Sequence, residues 1–167
     1  MPDTRILLAI DDSAAARRAV KYVAKLVGRR RAFRLCLVHV LSPLPARLLE
    51  HGGSEDPRKE AQLGAQLKAE RERWISGAKK AAQKSLSKAS ATLRNAGVPR
   101  RNVQALFCEP AEGRAAAEGI LRMARECKCR TVVVGRQSVS WFRELFSQDL
   151  AEELMRCGKG FSVWLVE

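Results

Sequence analysis

The residues able to do chemistry in this chain are few and scattered. Its two histidines, His39 and His51, lie apart in sequence. Neither stands in a nucleophile elbow, an H-E-x-x-H run or a P-loop. Five cysteines (Cys36, Cys108, Cys127, Cys129 and Cys157) are irregularly spaced and odd in number, which is a poor disulfide framework. Cys127 and Cys129 form a C-x-C without a neighbouring second pair to complete a zinc site, so they read as ordinary thiols. The serines between Ser76 and Ser90 fall in a basic helical stretch and read as surface residues. Asp11, Asp12 and Ser13 follow an apolar run directly and offer N-cap chemistry to a helix behind them. Asp149 and Glu152 form a D-x-x-E capping box at a second helix start. No residue presents itself as a general base.

These side chains must be positioned by elements whose spacing is legible. Arg5 to Ile10 and Phe33 to Leu41 are short apolar runs of the kind buried parallel strands show. Val103 to Phe107, Thr131 to Val134 and Phe161 to Val166 complete a set of five. Between them come helical periodicities. Ala16, Ala19, Val20, Val23, Ala24 and Val27 form the first, closed by Gly28. A long segment from Arg58 to Asn95 carries a stripe through Ile75, Ala78, Ala82, Leu86, Ala89 and Leu93. Gly64 and Gly77 weigh against its first half, and Gly97 and Pro99 end it. Glu112 to Glu126 and Asp149 to Arg156 are the remaining helices. Pro43 to Pro57, with its prolines and Gly52-Gly53, reads as a loop, and Arg136 to Gln148 as a loop or helical turn. Strands alternating with helices predict an α/β fold with a parallel sheet covered on both faces and joined by right-handed crossovers.

At 167 residues the chain suits one domain over 1–167, with enough length to bury a core. No run approaches the ~20 apolar residues of a bilayer span, and the N-terminus does not read as a signal peptide, so a cytoplasmic protein is expected. Charge is the main anomaly: 31 basic against 18 acidic residues, a net +13. From Ser13 to Leu49 there are nine Arg or Lys and no acid, and from Arg73 to Cys108 eight and no acid. The rest of the chain is therefore slightly acidic. These windows hold the first helix and most of the second. If the first two crossovers run in the same direction across the sheet, right-handedness places both on one face, so Arg17, Lys21, Lys25, Lys80, Lys84 and Lys88 should gather there. That face would either be a solvated surface or attract an anionic partner.

In this arrangement the chain resembles the universal stress protein family. The opening Leu8 to Ser13 (L-A-I-D-D-S), the second-strand ending Val38-His39-Val40, the fourth strand Thr131 to Gly135 and the last strand Ser162 to Val166 carry the likeness, in order, over nearly the whole chain. The resemblance implies a Rossmann-like sheet of order 3-2-1-4-5, with a ligand crevice at the C-terminal ends of the first and fourth strands. It further implies an adenine nucleotide site in which Asp11 sits beside the nucleoside. Ile10, Val40 and Val134 would lie at the adenine pocket.

Nucleotide-binding members carry G-x2-G-x9-G-[ST] after the fourth strand, where bare backbone and a helix N-terminus cradle phosphate. Here Gly135 matches the first position, but Ser138, Gln148 and Asp149 occupy the other three. The Asp149 carboxylate would satisfy the helix N–H groups that otherwise meet phosphate. A carboxylate about 4 Å from a phosphate costs about 4 kcal/mol at an effective dielectric of about 20. AMP or ATP is therefore expected to bind weakly or not at all. Arg136 or Arg143 could supply a compensating charge.

Three functions follow. The first is a non-enzymatic stress-response regulator acting as a homodimer through its last strand, Phe161 to Val166, an apolar edge without a protective charge. The second is a member that still binds AMP or ATP, with a nucleotide hydrolase as its enzymatic extreme. The third is an anion- or nucleic-acid-binding module on the basic face, although aromatics at 5% are sparse for a single-strand binder.

Overall fold

The computed structural model describes residues 4–49, 53, 55–109, 116–136 and 150–167. Five strands, β1 (Thr4–Ile10), β2 (Phe33–Val40), β3 (Val103–Cys108), β4 (Thr131–Gly135) and β5 (Ser162–Val166), form one parallel sheet in the order β3-β2-β1-β4-β5. The order and direction match the expectation. Helices α1 (Ala14–Val27), α2 (Ala46–Leu49), α3 (Pro57–Asn95), α4 (Ala116–Glu126) and α5 (Leu150–Cys157) complete the described elements, with a 3-10 turn at Arg100–Asn102.

Strand alternation divides the core into two layers. Ile6, Leu8, Ile10, Leu35, Leu37 and Val133 point to one face, where α1 and α3 cover them with Ala19, Val23, Leu86 and Leu93. Leu7, Ala9, Val38, Val40, Val132 and Val134 point to the other, under Ala117, Ile120 and Leu121 of α4 and Leu154 of α5. The expected division of helices between faces is observed. Central strands buried on both sides need apolar residues at every position, which is why β1 reads as a continuous run.

Several strand ends differ from the expectation by one residue, and one stretch differs more. The stretch from Pro43 to Pro57 is not all loop, because Ala46–Leu49 forms one helical turn. Leu48 is buried there, and its carbonyl accepts from Arg71 Nε at 2.5 Å, while Arg47 pairs with Glu70 at 3.0 Å. Tertiary contact with α3 overrides the flanking prolines and glycines. Helix α3 matches the expected Arg58 to Asn95 to within a residue and runs unbroken through Gly64 and Gly77, starting at an Asp56 cap whose carboxylate accepts from Arg58 N–H. Gly costs a helix interior only about 1 kcal/mol, which 39 residues absorb. At the other end, β5 begins at Ser162 rather than Phe161, whose N–H closes a turn on the Gly158 carbonyl.

The end of α4 is unusual. Cys129 N–H reaches the Ala124 carbonyl at 2.8 Å, and Lys128 N–H reaches Arg125 at 3.0 Å. This is a Schellman-type close, with Lys128 at φ 57° where glycine is the usual residue.

Candidate nucleotide crevice and its polar cluster

The C-terminal ends of β1, β2 and β4 bring Ile10, Asp11, Val40, Val134 and Gly135 to one edge of the sheet. Ile10 pairs with His39, one residue before Val40. Between β1 and β4 the register stops at Leu8↔Val133, two residues short of both strand ends. The strands part there, at the switch point of the sheet, where α/β folds seat ligands.

Gly135 has a structural reason to be glycine. A Cβ at this position would lie 2.5 Å from the Ala15 carbonyl carbon and 2.9 Å from Ala16 N. The first turn of α1 packs directly on this strand, so the position excludes a side chain whether or not phosphate approaches. Ser138, Gln148, Asp149, Arg143 and His51 lie outside the described residues. Arg136, the other candidate counter-charge, forms an ion pair with Glu167.

The segment after β1 supplies a compact turn. Asp11 is buried, and its Oδ1 accepts from Ser13 N–H at 3.0 Å. Ser13 Oγ in turn accepts from Ala16 N–H at 3.0 Å and caps α1. Burial pushes the Asp11 carboxyl above its ordinary value, opposed by the Ser13 hydrogen bonds and by nearby His39.

Around Asp12 lies a cluster that sequence reasoning did not find. Its carboxylate accepts a hydrogen bond from the Ser85 hydroxyl of α3 and stands 3.8 Å from His39 Nε2. Ser85, read from sequence as a plain surface residue, is half-buried. His39 is 6% exposed, and burial holds its pKa below the ordinary value against the pull of Asp12 and Asp11. The three side chains resemble a catalytic triad in composition only. A triad places histidine between hydroxyl and carboxylate. Here the carboxylate lies between, so the hydroxyl donates to the acid.

The cysteines are free thiols. Cys36 of β2 lies beside the Cys127–Cys129 pair, a proximity that 90 intervening residues conceal in the sequence. Burial, then Cys36, pushes the Cys127 thiol up to about 12. Among the described residues, no group of three His, Cys, Asp or Glu could hold a metal ion. Likewise, no described helix is long and apolar enough to cross a membrane.

Residues 4–159 match the universal stress protein family. The chain belongs to that family. Solved structures agree on the fold. A universal stress protein family member from Burkholderia pseudomallei is 22% identical with a TM-score of 0.63, covering 98% of this chain and 96% of its own. The Archaeoglobus fulgidus universal stress protein in complex with dAMP is 18% identical with a TM-score of 0.57, over 100% of both chains. A universal stress protein in complex with cAMP is 14% identical with a TM-score of 0.58, over 100% of this chain and 98% of its own. No curated protein matches the chain.

Proposed function

We propose that this universal stress protein domain, taken as one unit over 1–167, is a cytoplasmic, non-enzymatic regulator. It acts by partner contact, with AMP or ATP bound weakly or not at all. One observation carries the reading. Three of the four positions that should cradle phosphate hold Ser138, Gln148 and Asp149, while the nucleoside end keeps Ile10, Asp11, Val40 and Val134. The relatives solved with dAMP and cAMP support retaining a nucleoside-sized ligand as an alternative. The Asp12-centred order of Ser85 and His39 supports the non-enzymatic reading.

The exposed edge of β5, with Leu165 40% exposed, supports a homodimer through the last strand. A second reading, binding of an anionic partner, is favoured by charge segregation. Helix α1 has four basic residues and no acid, whereas α4 and α5 together hold four glutamates and three arginines. The test is mass spectrometry of small molecules released from the purified protein, with AMP and ATP titrations alongside. Absence of a co-purifying nucleotide is expected. Stoichiometric ATP released on denaturation would contradict the reading.

A further inference from the structure

Helices α1 and α3 pack side by side on one face, and a groove of about 640 Å³ runs between them from the Asp11–Asp12 turn to Lys21 and Thr92. Its rims are cationic. Arg17 and Lys21 stand on α1, and Lys84 and Lys88 on α3, all exposed. Each pair is spaced i, i+4, which sets its charges about 6 Å apart along the helix axis. Among the described residues, no carboxylate is ion-paired with Lys21, Lys84 or Lys88, while Arg17 Nη1 donates to the Asp12 carbonyl at 2.8 Å. The acids in the groove, Asp11 and Asp12, sit at one end, where Ser13 and Ser85 donate to them. The floor is apolar, with the small side chains Ala16, Val20 and Ala89 beside Ile10.

We propose that this groove docks an acidic amphipathic helix of a partner protein. This rests on reading the domain as a module that works by partner contact, and it names the surface and the partner's chemistry. A helix laid along the groove presents carboxylates at i, i+4 with the same ~6 Å repeat as each rim. Small floor residues let its apolar stripe approach closely, the helix-in-groove mode of recognition. A nucleic-acid strand fits less well. Among the described residues, no aromatic lines the groove for bases to stack on, and a phosphate backbone leaves the apolar floor uncovered. An anionic membrane fits less well again, because the apolar surface is recessed below charged rims.

The experiment uses the whole chain and a synthetic helical peptide of about four turns. The peptide carries Glu at i, i+4 on both flanks of an Ala/Leu stripe. Its composition-matched scramble, a single-stranded oligodeoxynucleotide and anionic phosphatidylserine vesicles are titrated in parallel. The amphipathic peptide should bind most tightly, and more weakly as salt rises. Lys84→Glu with Lys88→Glu should weaken it about tenfold or more, and Arg122→Glu with Lys159→Glu, away from the groove, about twofold at most. Equal binding of the scramble, tighter binding of oligonucleotide or vesicles, no binding at low salt, or indifference to the Lys84 and Lys88 changes would each overturn the proposal. ATP titration of the same samples separates the two readings. Failure of the peptide with ATP still weak removes only the groove, whereas tight ATP binding or turnover removes the reading beneath it.

Discussion

Asp12 gathers Ser85 and His39 at the mouth of the crevice, and the burial of His39 has a pH consequence. Its folded pKa lies below the unfolded value of 6.5, so the unfolded chain binds the proton more readily. The stability it contributes is present above pH 6.5 and is lost as pH falls through the folded value. Asp11 has the opposite sign. Its raised pKa makes its contribution complete below 3.8 and lost as pH rises through the folded value. Denaturant unfolding from pH 7.5 down to about 5.5 should therefore show a decline that His39→Leu flattens. An identical decline in that variant would show that His39 does not cause it. The thiols give a second residue-scale test. A pKa near 12 leaves Cys127 about one part in ten thousand thiolate at pH 8. Burial likewise raises Cys108, and the Cys129 contact followed by burial raises Cys36. Iodoacetamide at pH 8 should leave Cys36, Cys108 and Cys127 unmodified in the folded protein. Labelling of these three at the rate of the unfolded chain would refute that environment.

Elements show where local sequence suffices and where it does not. Strand runs and the stripe of α3 are local signals, and both were legible. The α2 turn was not, because its stability comes from Leu48 under α3 and from Arg71, 23 residues on. The Ser85–Asp12 contact was hidden in the same way, since no local pattern marks a hydroxyl as facing a carboxylate 73 residues away. By contrast, Asp11, Val40 and Val134 were placed at one edge once strand order was known. Lys128 provides the test at this scale. Its φ of 57° costs a side chain about 1–2 kcal/mol that glycine avoids. Lys128→Gly should raise stability by about 0.5–1 kcal/mol after the entropy of the unfolded chain is counted. Unchanged or lower stability in denaturant melts would contradict the cap assignment.

Over the whole molecule, sheet order converts a sequence asymmetry into a spatial one. The basic windows were visible residue by residue. The helices that carry most of them, α1 and α3, share one face of the two-layer core. The same order leaves β5 as an edge. If two copies pair there, Leu165→Asp should give a monomer by light scattering at micromolar concentrations. Folding should be intact, because the side chain is already 40% exposed. A wild-type chain that is strictly monomeric at high micromolar concentration would remove the dimer.

The central claim is that the phosphate cradle has been replaced while the fold around it is kept. Gly135 does not argue against this, since α1 packing alone requires glycine there. Isothermal titration of magnesium–ATP into the wild-type chain and into the Ser138→Gly, Gln148→Gly, Asp149→Ser variant tests the claim most directly. No tight complex is expected with the wild type, and affinity should rise in the triple variant by up to about a thousandfold, the equivalent of about 4 kcal/mol. Submicromolar ATP binding by the wild type, or no gain in the variant, would contradict it.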